Sequence, residues 1–196
     1  INSNGFYIYI YDIINNNWIE GTSFTPTHAQ GYFEAFDTIF DIENDVLVLS
    51  TWSNDGIQGH YIHSYDVNSD IWESITSCNS GEDSSGGGQL IYNIKTKKTV
   101  LGTYYGDNPN WGLQLFEIDL DSQNCQNIYQ NTPFGTPSVS NDNFLYDFKE
   151  DRYLYIYMNN NSGTVSLGEI INQDGILSYN NITSISLPDN AYYSGD

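Results

Sequence analysis

The feature that most constrains this chain is an internal repeat with a period of about 52 residues. An acidic residue followed by an aliphatic one, and mostly preceded by an aromatic one, recurs as Tyr11-Asp12-Ile13, Tyr65-Asp66-Val67, Phe116-Glu117-Ile118 and Gly168-Glu169-Ile170. These acidic residues are 54, 51 and 52 residues apart. A second marker recurs 52 and then 54 residues apart, at Phe40-Asp41-Ile42, Tyr92-Asn93-Ile94 and Tyr146-Asp147-Phe148. Two markers with one period indicate a chain built from repeated units.

Each unit is predicted to contain four β-strands. No window of useful length has the 3.6-residue apolar spacing of a helix, and the 17 Tyr and 9 Phe favour strands. The strands of the three full units are expected near 36–42, 46–52, 59–67 and 71–76, then 89–94, 99–105, 112–119 and 123–129, then 143–148, 152–158, 164–171 and 176–183. A half unit, with strands near 6–14 and 17–20, precedes them.

The third strand of a unit is apolar on both faces, which predicts stacked sheets. Leu113 and Leu115 point to one face, while Phe116 and Ile118 point to the other. Small four-stranded sheets that repeat every ~50 residues predict an all-β fold, a β-propeller of four-stranded antiparallel blades. We expect one partial propeller domain over residues 1–196, with a half blade at 1–20, blades near 34–76, 88–129 and 142–185, and a tail at 186–196.

Two hairpins carry the residues of a known repeat. Tyr65 to Trp72 follows the order aromatic, acid, aliphatic, turn and tryptophan, and Tyr11 to Trp18 follows the same order. This segment resembles the closing half of a kelch repeat, and the chain therefore resembles kelch-type, galactose-oxidase-like propellers. The resemblance implies six or seven blades, which at ~50 residues each need roughly 300 residues or more. We therefore expect these three and a half blades to be a fragment of a larger ring.

The net charge of the chain limits the classes of partner that it can bind. With 25 Asp and Glu against 5 Lys and Arg, the net charge is −20, so nucleic acid and anionic membrane surfaces are repelled. A basic partner would be attracted, although acidic surfaces also serve solubility. No stretch approaches the ~20 apolar residues that span a bilayer.

The compartment stays open from the sequence. The two cysteines, Cys78 and Cys125, are 47 residues apart without metal-site spacing, so one disulfide and two buried thiols are both compatible with them. Glycosylation sequons at Asn160 and Asn181, few Lys and abundant Tyr, Asn and Thr favour an extracellular protein.

The long loops at one rim of the blades are the predicted binding surface. Loops between strands two and three, and between strand four and the next blade, share that rim, and functional residues concentrate on loops that a scaffold holds. The candidate binding residues are Asp55, Asp107, Trp111, Glu82, Asp83, His28 and Tyr32. Solvated loops with ordinary turn chemistry are the alternative.

Several motifs point to structure more than to metal binding. His60 and His63, three apart on one strand, should face opposite sides. The run Asp66, Asn68 and Asp70 begins like a calcium loop but lacks its glycine and distal glutamate, so a hairpin turn is expected. Segment 53–56 is one residue short of an Asp-box.

The acidic residues of the first marker share one place in each repeat. Asp12, Asp66, Glu117 and Glu169 are therefore interpreted as hairpin-shaping residues and not as a carboxylate cluster.

The function predicted from these observations is a protein-interaction scaffold that binds a protein partner through its rim loops. No catalytic constellation, metal site or cofactor is predicted, which favours a non-enzymatic role. The alternative is a carbohydrate-binding propeller or a copper-radical oxidase. Rim aromatics such as Trp111, Tyr104 and Tyr105 would stack on sugar rings, while the galactose-oxidase resemblance implies a copper site of two Tyr, two His and a Cys.

Overall fold

The computed structural model describes residues 5–25, 33–53, 59–79, 88–105, 112–131, 144–159, 164–173 and 176–186. These residues form antiparallel sheets, with a two-stranded sheet of β1 (Tyr9–Asp12) and β2 (Asn17–Glu20) at the start. The first four-stranded sheet runs in order through β3 (Phe33–Asp41), β4 (Val46–Ser53), β5 (Gly59–Asp66) and β6 (Ile71–Cys78). Within the described ranges there is no helix that could span a membrane.

Two more four-stranded sheets follow with the same order. One contains β7 (Gly88–Asn93), β8 (Lys98–Tyr105), β9 (Gly112–Asp119) and β10 (Asn124–Asn131). The other contains β11 (Phe144–Asp147), β12 (Arg152–Asn159), β13 (Thr164–Gln173) and β14 (Ile176–Ser186). The predicted fold class, a β-propeller of four-stranded antiparallel blades, is confirmed. The largest boundary differences are three residues: β1 begins three residues after the predicted start, β3 begins three residues before it, and β14 ends three residues after the predicted end.

Four-residue turns join the hairpins because their sequences supply the required turn chemistry. The last turn residue has a φ of 52° to 58° in each case, namely at Asn16, Asp45, Asp70, Lys97, Gln123 and Asp151. Asn and Asp, which tolerate this conformation best among non-glycine residues, occupy four of these six positions. The residue that ends the preceding strand accepts backbone N–H bonds from the turn, namely Asp12, Asp41, Asp66, Asn93, Asp119 and Asp147.

The hairpin-shaping role is confirmed for Asp12 and Asp66 but is wrong for Glu117 and Glu169. In the β7–β10 sheet Asp119 caps the turn, and Glu117 lies two residues earlier, opposite Gln126. Glu169 also lies inside its strand, where it accepts bonds from Arg152 and Asn180. Because strand side chains alternate with a period of two, a two-residue shift keeps each residue on its face. The alternation therefore gave no sign of the shift.

The hydrophobic cores lie between blades. One core joins the β3–β6 and β7–β10 sheets and contains Val48, Ile62, Ile75, Cys78, Leu90, Leu101, Phe116 and Ile118. The other joins the β7–β10 and β11–β14 sheets and contains Ile91, Val100, Leu113, Leu115, Tyr129, Phe144, Tyr153, Tyr155 and Ile170. Consecutive residues such as Val100 and Leu101, both 0% exposed, enter opposite cores. This confirms why the strands are apolar on both faces.

A disulfide fixes the outer part of the first of these interfaces. Cys78, at the end of β6, is bonded to Cys125 near the start of β10, with Cα atoms 5.4 Å apart. The question that the sequence left open is thus answered in favour of the disulfide. It joins the outermost strands of two neighbouring blades.

The half blade packs against the β3–β6 sheet through the second tryptophan of the repeat. Trp72 Nε1 donates to the backbone carbonyl of Thr22 (2.8 Å), and its ring stacks on Phe24 at 5.1 Å. Asp70 accepts bonds from the backbone N–H and the hydroxyl of Thr22. The residues that resemble the kelch motif therefore hold adjacent parts of the chain together.

Candidate functional site

The inner strands of the three full blades line an apolar groove. β3, β7 and β11 lie side by side, and the groove between them has a cavity volume of about 430 Å³. Its lining consists of Ile39, Ile42, Gln89, Leu90, Ile91, Tyr92, Ile94, Phe144, Leu145, Tyr146 and Phe148. Ile42, Ile94 and Phe148 occupy one equivalent position in the three blades, directly after the residue that caps each turn. The groove is thus a product of the repeat.

Polar side chains at a second equivalent position connect each inner strand to the next one. Asp37 Oδ2 accepts a bond from the Leu90 N–H (2.8 Å), and Gln89 Oε1 accepts one from the Phe144 N–H (2.9 Å). Asp37 and Gln89 each stand four residues before the capping residue of their strand. These bonds satisfy backbone donors on the free edges of β7 and β11, which would otherwise lose hydrogen-bond energy on burial.

The capping residues make a second set of connections. Thr99 Oγ1 donates to Asp41 Oδ2 (2.8 Å), and Asn93 Nδ2 donates to Tyr153 Oη (2.8 Å). Thr99 and Tyr153 are the second residues of β8 and β12. Burial raises the pKa of the Tyr153 hydroxyl, so it stays protonated. Sequence reasoning missed these inter-blade bonds, although the constant spacing between positions 37 and 41, and between 89 and 93, was a usable signal.

All five cationic side chains of the protein lie at one face, which we call the turn face because it carries the four-residue turns. They are Lys95, Lys97, Lys98, Lys149 and Arg152. Lys97 pairs with Glu43 and Lys95 with Asp151, each across a blade boundary, at 2.9 and 3.4 Å. Such exposed pairs contribute little to stability, typically about 0–1 kcal/mol.

The cations at the starts of β8 and β12, Lys98 and Arg152, lie closer to their carboxylate partners. The hydrogen bond from Lys98, together with the Ser122 N–H, lowers the pKa of Asp119 to about 2. At the equivalent position Arg152 donates to Glu169 (2.6 Å) and Asp147 (3.0 Å). Four of the five cations are therefore paired with carboxylates at 3.4 Å or less, whereas Lys149, 81% exposed, is 3.9 Å from Glu150.

Tyrosine hydroxyls complete several of the turns. Tyr65 donates to Asp70 (2.6 Å), Tyr146 donates to Asp151 (2.7 Å), and Tyr11 bonds to Asn16. Burial, reinforced by Asp70, raises the pKa of Tyr65 to about 12. Burial likewise raises the pKa of Tyr146, so Tyr65 and Tyr146 are neutral donors, and this donor role explains why the aromatic residue of the repeat is so often Tyr.

The opposite face, which we call the loop face, is where β4, β8 and β12 end and β5, β9 and β13 begin. The segments that carry the predicted binding residues start and end at this face. All of those residues lie outside the described part of the chain, namely Asp55, Asp107, Trp111, Glu82, Asp83, His28 and Tyr32. Their binding role stays a prediction.

The two strand histidines face opposite neighbours, as predicted. His60 Nε2 is 2.9 Å from Thr103 Oγ1 in the next blade, whereas the ring of His63 contacts Phe24 of the half blade. Burial lowers the pKa of His60 to about 3, so its imidazole is neutral. In the described ranges no group of three or more His, Cys, Asp or Glu side chains is arranged to hold a metal ion.

The calcium-like run forms a hairpin turn, and the copper site lacks its cysteine ligand. Asp66 accepts bonds from the Asn68 and Ser69 N–H groups and from Ser69 Oγ, which confirms the predicted hairpin turn. The copper site implied by galactose oxidase requires a cysteine. Both cysteines of the chain, Cys78 and Cys125, are bonded to each other, so neither thiol is available to copper.

The comparisons with known proteins bear on the fold. No protein-family model and no curated protein sequence matches the chain. Among solved structures it resembles two variants of an exo-β-1,3-galactanase from Phanerochaete chrysosporium, each crystallised with β-1,3-galactotriose. The first is 14% identical with a TM-score of 0.55, over 90% of this chain and 43% of the galactanase. The second is 13% identical with a TM-score of 0.54, over 93% and 48%.

This chain therefore spans less than half the length of the galactanase structures that it matches. At such low identity the likeness shows the fold alone. It supports a β-propeller without singling out the kelch type.

Proposed function

We propose that this propeller binds a neutral carbohydrate at its loop face. The observation that carries the proposal is the likeness, over 90% of the chain, to a propeller enzyme that was crystallised with a galactose trisaccharide. The protein-interaction function has no comparable support. The kelch-type assignment and the ring of six or seven blades remain proposals that rest on the motifs ending at Trp18 and Trp72.

The distribution of charge favours a neutral ligand over an anionic one. The segments 54–58, 80–87, 106–111 and 132–143 begin and end at the loop face and contain five carboxylates but no Lys or Arg. Since every cation is at the turn face, phosphorylated or uronic sugars would meet only repulsion at the loop face. Carboxylates accept hydrogen bonds from sugar hydroxyl groups, so they suit a neutral glycan.

Aromatic residues in the same segments would supply the second part of sugar recognition. Trp111 ends segment 106–111, directly before β9, and Asp107 lies in the same segment. A tryptophan ring offers a large apolar face with a polar N–H at its edge. We assign Trp111 the stacking role and Asp107 a hydrogen-bonding role, and Asp55, Glu82, Asp83, His28 and Tyr32 are further candidate contacts.

Isothermal titration with β-1,3-galactotriose and a panel of neutral and uronic oligosaccharides tests this function. We expect binding of one or more neutral members, with a loss of about tenfold or more in affinity for Trp111→Ala. Trp18→Ala is the matched control, because Trp18 is an exposed tryptophan on β2 beside a four-residue turn, away from the loop face, and should leave affinity unchanged. No binding across the panel, or equal losses in both variants, would contradict the proposal.

A protein partner at the same face predicts a different pattern. Trp111→Ala and Asp107→Ala would then weaken capture of that partner without lowering the melting temperature, and no oligosaccharide would compete. Loss of folding in either variant would show instead that the residue is structural.

A further inference from the structure

The outermost strand of the last described blade carries an unassigned modification motif. Residues Asn181, Ile182 and Thr183 form an Asn-x-Thr acceptor sequence for N-linked glycosylation. All three residues are exposed in β14. The motif alone would be weak evidence in an Asn-rich chain, so its structural setting decides its value.

The local backbone presents the asparagine to solvent. The β13–β14 register shifts here, because Gly168 pairs with Asn181 whereas Leu167 pairs with Thr183. Ile182 is thus the extra residue of a β-bulge. Asn181 Nδ2 makes an exposed hydrogen bond to Ser184 Oγ (3.1 Å). A glycan on Nδ2 would extend into solvent and would displace no core contact.

A second, independent observation concerns the compartment. The Cys78–Cys125 disulfide links two blades, and stable structural disulfides form in oxidising compartments such as the endoplasmic reticulum. This is the compartment in which eukaryotic cells transfer oligosaccharide to Asn-x-Thr sequences. The disulfide and the exposed acceptor therefore point to the same cellular route.

The chemistry of β14 provides a physical role for the glycan. β14 is the terminal strand of its sheet and contains no Asp, Glu, Lys, Arg or Pro. It exposes Ile176, Ile182 and Ile185. Uncharged, apolar edge strands pair with edges of other chains unless charge, proline or a covering group prevents it. A hydrophilic glycan in the middle of this strand would act as such a covering group.

We propose that Asn181 is an N-glycosylation site whose glycan protects the β14 edge from intermolecular strand pairing. In the transfer step, C1 of the oligosaccharide forms a bond to Asn181 Nδ2. The bond from C1 to the pyrophosphate of the lipid-linked donor breaks, and the amide nitrogen gives up one proton.

Secretory expression in a eukaryotic host tests the modification directly. The other sequon is first removed with Asn160→Gln, and Asn160 itself lies outside the described residues. The secreted protein is expected to lose mass on treatment with peptide N-glycosidase F. Adding Asn181→Gln or Thr183→Ala should abolish that loss, whereas Thr183→Ser, which keeps the acceptor motif, should preserve it.

Two outcomes would overturn the proposal. One is a secreted, disulfide-bonded Asn160→Gln protein that carries no glycan. If that variant is not secreted, peptide mass spectrometry of the parent chain replaces it, and unmodified Asn181 has the same meaning. The other is an equal rate of aggregation for glycosylated Asn160→Gln protein and for folded Asn160→Gln/Asn181→Gln, since protection of the edge predicts faster aggregation of the variant without the glycan.

Discussion

The two interfaces between full blades use the same two positions for hydrogen bonds and differ in what fills the space between the sheets. Asp37 and Asp41 make these bonds in one interface, and Gln89 and Asn93 make them in the other, although Asp41 accepts a bond where Asn93 donates one. The β3–β6/β7–β10 interface contains a disulfide and the buried His60, whereas the β7–β10/β11–β14 interface contains a cluster of aromatic rings. The repeat thus keeps the positions of these bonds and leaves the packing beside them free to vary.

A glycine in each interface makes room for the ring that is specific to it. A Cβ on Gly88 would lie 2.6 Å from the His60 ring, and a Cβ on Gly102 would lie 3.1 Å from the Phe144 ring. The first distance forces a displacement, while the second is a tight contact. The His60 ring therefore requires a glycine at position 88, and the Phe144 ring favours one at position 102.

The largest expected effect is on the aromatic cluster between the β7–β10 and β11–β14 sheets. Phe144 is 3% exposed and packs on Tyr153 and Tyr155, so Phe144→Ala should lower the free energy of unfolding by about 3–5 kcal/mol. Phe148→Ala, four residues later and 68% exposed, should change it by about 0.5 kcal/mol or less. Denaturant titration measures both. Similar values for the two variants would show that the aromatic cluster does not hold this interface.

The next largest effect is expected from removing the disulfide between the β3–β6 and β7–β10 sheets. With the cysteines 47 residues apart, the double variant Cys78→Ser/Cys125→Ser should lose about 2–4 kcal/mol, chiefly because the unfolded chain regains freedom. Dithiothreitol should destabilise the parent protein to the same extent and should not affect the variant. If reduction leaves the unfolding midpoint unchanged, the hydrophobic contacts around Cys78 suffice and the two interfaces differ less than proposed.

These two interfaces also show what the sequence could predict. Strands and hairpins were predictable because turn residues such as Asp66 and Asp70 act locally. The disulfide could not be predicted. Cys78 is at the end of β6, whereas Cys125 is near the start of β10, the equivalent strand of the next blade, so aligning the repeats does not bring the two cysteines together. The register of Glu117 was missed because alternation is blind to a shift of two residues. The candidate loop residues have no local pattern that fixes their placement.

A smaller effect tests the hydrogen bonds that both interfaces make from the residues capping the turns. Thr99→Val removes the hydroxyl that donates to the buried carboxylate of Asp41, and it should cost about 1.5–3 kcal/mol because the acceptor is charged. Tyr153→Phe removes the equivalent acceptor of Asn93, a neutral pair, and should cost about 0.5–1.5 kcal/mol. Denaturant titrations at neutral pH compare the two. A larger loss for Tyr153→Phe would reverse the assigned importance of charge.

The smallest effect concerns the turn face, where Lys98 and Arg152 hold equivalent positions in adjacent blades. Because the bonded Lys98 lowers the pKa of Asp119 to about 2 from an ordinary 3.8, the carboxylate is favoured in the folded state. Its contribution to stability is present above pH 3.8 and is lost as the pH falls towards 2. NMR titration of Lys98→Met should find the Asp119 pKa raised towards its ordinary value, whereas Arg152→Met should leave it unchanged. A low Asp119 pKa in Lys98→Met would mean that the Ser122 N–H bond is sufficient, and that the turn is set by its backbone with no help from the ion pair.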